Sequence, residues 1–164
     1  MHINSKIIVL LFVAIFPVSK LFAKDMTFRL GAGFKNNTSE DIPSVAIEYY
    51  AAKDLAYTGS LGIDTRQNNS ALQISAGLRK IIYFENNLNF YVSGQGSLLN
   101  IETPAAGKKS GFDLLGAGGV EFYFAGLENL GFSLEAGLML STLGNTRIHS
   151  VADGPLRAGI VFYF

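Results

Sequence analysis

The sequence predicts an all-β fold, an eight-stranded antiparallel up-and-down transmembrane β-barrel. Eight segments alternate apolar and polar residues with period two, which places one set of side chains on each face of a strand. The connections between them alternate in kind, short after even-numbered strands and mostly longer and more polar after odd-numbered ones. The chain closes on Leu156, Ala158, Ile160, Phe162 and Phe164 at alternate positions, a greasy strand ending in an aromatic. Past residue 23 no apolar stretch approaches the ~20 residues of a membrane-spanning helix. A chain that crosses a membrane without such a helix must close into a barrel, because hydrocarbon tolerates no unpaired backbone groups.

Residues 1–23 read as a signal peptide. Lys6 supplies a short positive region, residues 7–18 are an almost unbroken apolar run, and Leu21-Phe22-Ala23 offers a cleavage site. Residues 24–164 then form one barrel domain. Thirteen basic and thirteen acidic side chains balance over the whole chain. Without Lys6 and Lys20 the remainder is slightly acidic, so nucleic acid is not an expected partner. Cysteine is absent, which leaves no disulfide, thiolate metal site or lipid-anchored Cys.

In order, the expected strands are residues 26–34, 43–51, 55–64, 71–82, 88–101, 111–124, 130–142 and 155–164. Most match the ~9–11 residues of a tilted transmembrane strand. The short connections are 52–54, 83–87 and 125–129; 35–42, 102–110 and 143–154 are longer and more polar. Neither an internal repeat nor a linker interrupts the series.

The two faces differ in a way that sets their direction. One carries Phe28, Leu30, Phe34, Val45, Ile47, Leu61, Ile63, Leu72, Ile74 and their successors. The other carries Arg29, Glu48, Asp64, Arg79, Gln95, Asp113, Glu121, Glu135 and Arg157 among Ser, Thr and Gly. A solvated exterior should be rich in lysine. Here the cations of the polar face are arginines, suited to desolvated pairing with carboxylates, while lysine stays in the connections apart from Lys80. The polar face is therefore expected inside and the apolar face against lipid. Phe28, Tyr49, Tyr57, Phe90, Phe122, Phe124, Phe132 and Phe162 gather near the short-turn end of the outward face, as an interfacial girdle should. Lys80 is the misfit: alternation points it at lipid, which calls for snorkelling or a bulge.

An eight-stranded barrel has an interior just wide enough for side chains to fill. Arg29 and Glu48 stand opposite each other if the first connection is symmetric about residues 38 and 39. Arg79, Glu121 and Glu135 fall near the same level and Arg157 somewhat higher. An ion-pair cluster of these six is expected to bridge the walls and hold the barrel shut; an ion gate is the competing reading. On the outward face, Gly94 and Gly96 oppose Gly118 and Gly116 if the fifth connection is symmetric about residue 106. A flat small-residue surface can favour association with a second copy. Relief of strand curvature explains the same glycines, and takes precedence.

Catalytic signals are weak. His149, Ser150 and Asp153 share the last connection, but adjacent side chains on an extended chain point apart and make no nucleophile–base pair. No metal-ligand spacing or phosphate-binding glycine loop appears, so no cofactor is expected. Lys35, Lys108, Lys109 and Arg147 in the long connections could touch lipopolysaccharide phosphates, or be ordinary loop solvation.

The leader, the eight alternating strands, the inward Arg and Glu, and the terminal Ile160-x-Phe162-x-Phe164 together resemble the small eight-stranded outer-membrane barrel superfamily. That group includes the transmembrane domain of outer-membrane protein A and the opacity-type barrels. The resemblance implies integration in the outer membrane with both termini periplasmic, and contact with its lipid and lipopolysaccharide. It also implies that the insertion machinery reads the terminal Phe164. The expected role is non-enzymatic, envelope integrity or surface interaction. A narrow channel for ions or small solutes is the alternative, and a lipid-modifying enzyme comes third.

Overall fold

The computed structural model describes residues 25–36, 42–66, 69–104, 107–150 and 156–164. The expected signal peptide, residues 1–23, lies outside them, as does Asp153. Nine strands form among the described residues: β1 Leu30–Asn36, β2 Pro43–Ala52, β3 Leu55–Arg66, β4 Asn69–Glu85, β5 Leu88–Thr103, β6 Gly107–Tyr123, β7 Leu130–Ser141, β8 Arg147–Ser150 and β9 Arg157–Tyr163. Each of β1 to β7 pairs antiparallel with its successor in the wall, and β9 pairs with both β7 and β1. That closes an eight-stranded antiparallel barrel, and closure leaves no strand edge unpaired around the ring. The short β8 lies against the far end of β7 only, with Leu138 opposite Ser150 and Ser141 opposite Arg147.

Burial follows the period-two pattern. Along β2 the even-numbered Ser44, Ala46, Glu48 and Tyr50 are buried while Val45, Ile47 and Tyr49 are exposed. The charged face is inside and the apolar face outside.

Four features of the sequence reading are corrected. The first strand does not begin at residue 26: Phe28 adopts φ 63°, and the Arg29 N–H donates to the Met26 carbonyl, so the chain turns before β1 starts. β1 instead runs on to Asn36, and its register sets Gly31, not Arg29, opposite Glu48. The fifth connection is also shorter than expected. β6 starts at Gly107, whose φ of 65° suits a tight turn that a Cβ would strain, and Glu102 pairs with Lys108. Gly94 therefore faces Gly116, while Gly96 faces Leu114 and Gly118 faces Val92. Last, part of the expected 143–154 loop is β8, reached through a turn at Gly144 with φ 76°. In both hairpins the backbone ladder continues where side chains have become polar, because paired strands can extend beyond the apolar band.

Candidate functional site: the lumen

Inward side chains of seven strands meet in the lumen. Arg79 on β4 is the hub and is fully buried. Its Nη1 and Nη2 donate to Glu48 Oε2 and Oε1 of β2, both at 2.8 Å, a two-pronged pairing. Nη1 also lies 3.2 Å from Glu121 of β6, and Nη2 3.5 Å from Glu135 of β7. The guanidinium carbon sits 4.1 Å from the centre of the Tyr91 ring on β5. One side chain thus touches four other strands. Lys35 on β1 reaches Glu135 at 3.1 Å and Glu48 at 3.5 Å. Arg157 on β9 approaches Glu135 Oε2 at 3.3 Å and gives both terminal nitrogens to the Gln95 side-chain oxygen at 3.0 Å. Its Nε donates to the Asn36 carbonyl, also at 3.0 Å.

Tyrosines supply further donors to these carboxylates. Tyr50 and Tyr123 donate to Glu121 Oε2 at 2.8 Å, and Tyr91 donates to Glu135 at 2.9 Å. The Tyr163 hydroxyl bridges Glu121 Oε1 at 2.6 Å and Glu48 Oε2 at 2.8 Å. Below them, toward the short turns, Met26, Ala56, Ile81 and Val161 complete an apolar layer with the tyrosine rings. A carboxylate can accept about four hydrogen bonds, so Glu48 and Glu121 are extensively satisfied despite burial.

Inward glycines make room for these groups. A Cβ on Gly31 would stand 2.6 Å from the Tyr163 ring, one on Gly119 2.6 Å from Tyr91, and one on Gly131 2.9 Å from Glu121. Small residues lie where a large side chain of the neighbouring, paired strand leans across.

Of the six residues expected in the cluster, Glu48, Arg79, Glu121, Glu135 and Arg157 come together. Arg29 does not. The two-residue register difference puts it below the barrel, where its Nη1 donates to Asn129 at 2.8 Å. Lys35, expected in a solvated loop near lipopolysaccharide, takes the cationic place instead, because β1 extends past it. The sequence reading also missed the four lumen tyrosines. A signal was present: Tyr50 shares parity with Glu48, Tyr123 with Glu121, Tyr91 with Gln95 and Tyr163 with Arg157, each on its own strand.

On the outer wall, Tyr49 faces Tyr57 across β2 and β3, and Phe122 stacks on Phe132 at 5.4 Å with Phe124 edge-on to both. Phe28, Phe90, Phe162 and Phe164 are exposed toward the same end. Tyr83 joins Phe90 at 5.9 Å, because a bulge between Ile81 and Tyr83 turns both Ile82 and Tyr83 outward. Lys80 does point outward and pairs with Asp54 in the β2–β3 turn. The hydrogen bond from Lys80 holds the Asp54 carboxyl below its ordinary range. Exposed pairs contribute little, so Lys80→Leu is expected to leave the urea unfolding midpoint unchanged within error; a clear fall would give the pair a structural role.

His149 Nδ1 lies 3.0 Å from the Ser150 carbonyl oxygen. Among the described residues there is no group of three or more His, Cys, Asp or Glu placed to hold a metal. No family model matches this chain, and no curated protein matches it. Among solved structures it is similar to the crystal structure of the N-terminal β-barrel domain of Pseudomonas aeruginosa OprF. The two share a TM-score of 0.56 and 18% identity over 83% of this chain and 96% of that one. At that identity the likeness is one of fold, the small eight-stranded barrel.

Proposed function

We propose that this chain is a non-enzymatic integral outer-membrane barrel with a closed lumen, serving envelope integrity or surface interaction. The observation that carries the reading is the height of the outward apolar band. On β5 the band runs from Leu88 through Phe90, Val92, Gly94 and Gly96 to Leu98, and gives way to Asn100 and Glu102. That is about ten residue steps; at ~3.3 Å each and a tilt of ~40° it rises ~25 Å, the height of a barrel's lipid-facing band. Leu130 to Leu140 on β7 repeats it. The aromatic girdle at one edge, and the arrival of both described chain ends at the short-turn side, support periplasmic termini. Exposed Lys108, Lys109 and Arg147 at the other rim suit contact with lipopolysaccharide phosphates.

The cross-braced charges favour a plug over a conduit. Purified barrel reconstituted in planar bilayers is expected to give no discrete single-channel currents; reproducible unitary openings would establish the channel reading instead. Fractionation of cell envelopes tests the location separately, and recovery with the inner membrane would contradict it.

A further inference from the structure

Arg29 and Met26 are left over from the cluster, and their geometry is specific. The Arg29 N–H bonds the Met26 carbonyl at 3.0 Å, and the positive φ of Phe28 turns its ring outward while Met26 folds inward. Met26 is 1% exposed, although it precedes the first strand, and it packs with Tyr50, Tyr123 and Tyr163 at the short-turn mouth. The Phe28 N–H donates to the Tyr50 carbonyl on β2, and the Arg29 carbonyl accepts from the Tyr50 N–H. Arg29 then reaches across to Asn129, in the turn before β7, a contact between residues 100 positions apart.

We propose that residues 26–29 form a strap across this mouth, with Met26 as the plug and Arg29–Asn129 as its latch. Its work is to keep water off the tyrosine–carboxylate layer. That layer depends on exclusion of water, since hydrogen bonds to buried carboxylates weaken when solvent competes. The proposal rests on the closed-lumen reading. The two fail separately, because channel currents test the lumen and the chemistry below tests the strap.

The test is peroxide oxidation of the folded barrel in micelles, resolved residue by residue by mass spectrometry. Met139, buried in the other half of the lumen, is the internal control. In the wild type both Met26 and Met139 should be protected. Arg29→Ala and Asn129→Ala should each raise the Met26 rate about tenfold and leave Met139 unchanged, since sulfoxide formation follows exposure. Met26→Gly should raise hydroxyl-radical labelling of Tyr123 and Tyr163 by about threefold, as local opening admits water. Met26 oxidising in the wild type as fast as in an unfolded peptide would overturn the plug. Unchanged Met26 rates in both latch variants would overturn the latch. Equal acceleration of Met139 in both would make the effect global and overturn the strap.

Discussion

Replacing Arg79 with leucine is expected to lower the unfolding free energy by about 3–5 kcal/mol, the cost of removing one partner from a buried ion pair. The substitution leaves Glu48, Glu121 and Glu135 facing one another without the charge that lies within 3.5 Å of all three. Lys35 and Arg157 remain, but neither makes a two-pronged contact with a carboxylate. Pairing Arg79→Leu with Glu48→Leu should recover part of the loss, because the buried charge then falls on both sides. Urea unfolding in lipid vesicles, followed by circular dichroism, measures both. A single variant as stable as the wild type would show that the cluster fills space without bracing the walls.

The second large effect is steric. A Cβ on Gly33 would lie 1.9 Å from the Ile160 carbonyl oxygen and 2.6 Å from the Val161 Cα, at the β1–β9 seam that closes the ring. Both obstacles are backbone, so no side chain can swing aside. Gly33→Ala is expected to cost about 3 kcal/mol, the upper end for overpacking, and to reduce the fraction that reaches the compact, fast-migrating form on unheated gels. Gly116→Ala is the control: nothing lies within 4 Å of its added Cβ, and it should fold like the wild type. Equal folding of both variants would mean that the seam relaxes more readily than its close contacts imply.

The strands and their faces were legible in the sequence because period-two alternation is a local property, repeated along each segment. That Glu48, Arg79, Glu121, Glu135 and Arg157 point inward followed from parity. Register was the part that local pattern could not supply. Gly31 rather than Arg29 opposes Glu48, and Gly94 opposes Gly116, because the point at which each ladder turns back, as at Gly107, decides how far it climbs. Lys35 was lost with it: a lysine beside Asn36 and Asn37 reads as loop until β1 is seen to carry it inward. The lumen tyrosines are legible in parity as well, once aromatics are sought on both faces. Tyr83 needed the bulge before it, and a bulge leaves little trace in composition.

Two pairs of adjacent leucines report directly which face meets lipid. Leu98 and Leu114 are exposed outward, whereas their neighbours Leu99 and Leu115 are 3% exposed in the lumen. Methyl-labelled barrel in lipid nanodiscs should show nuclear Overhauser contacts from acyl-chain methylenes to the methyls of Leu98 and Leu114, and none to those of Leu99 and Leu115. Acyl contacts to Leu99 and Leu115, with water contacts at Leu98 and Leu114, would contradict that orientation.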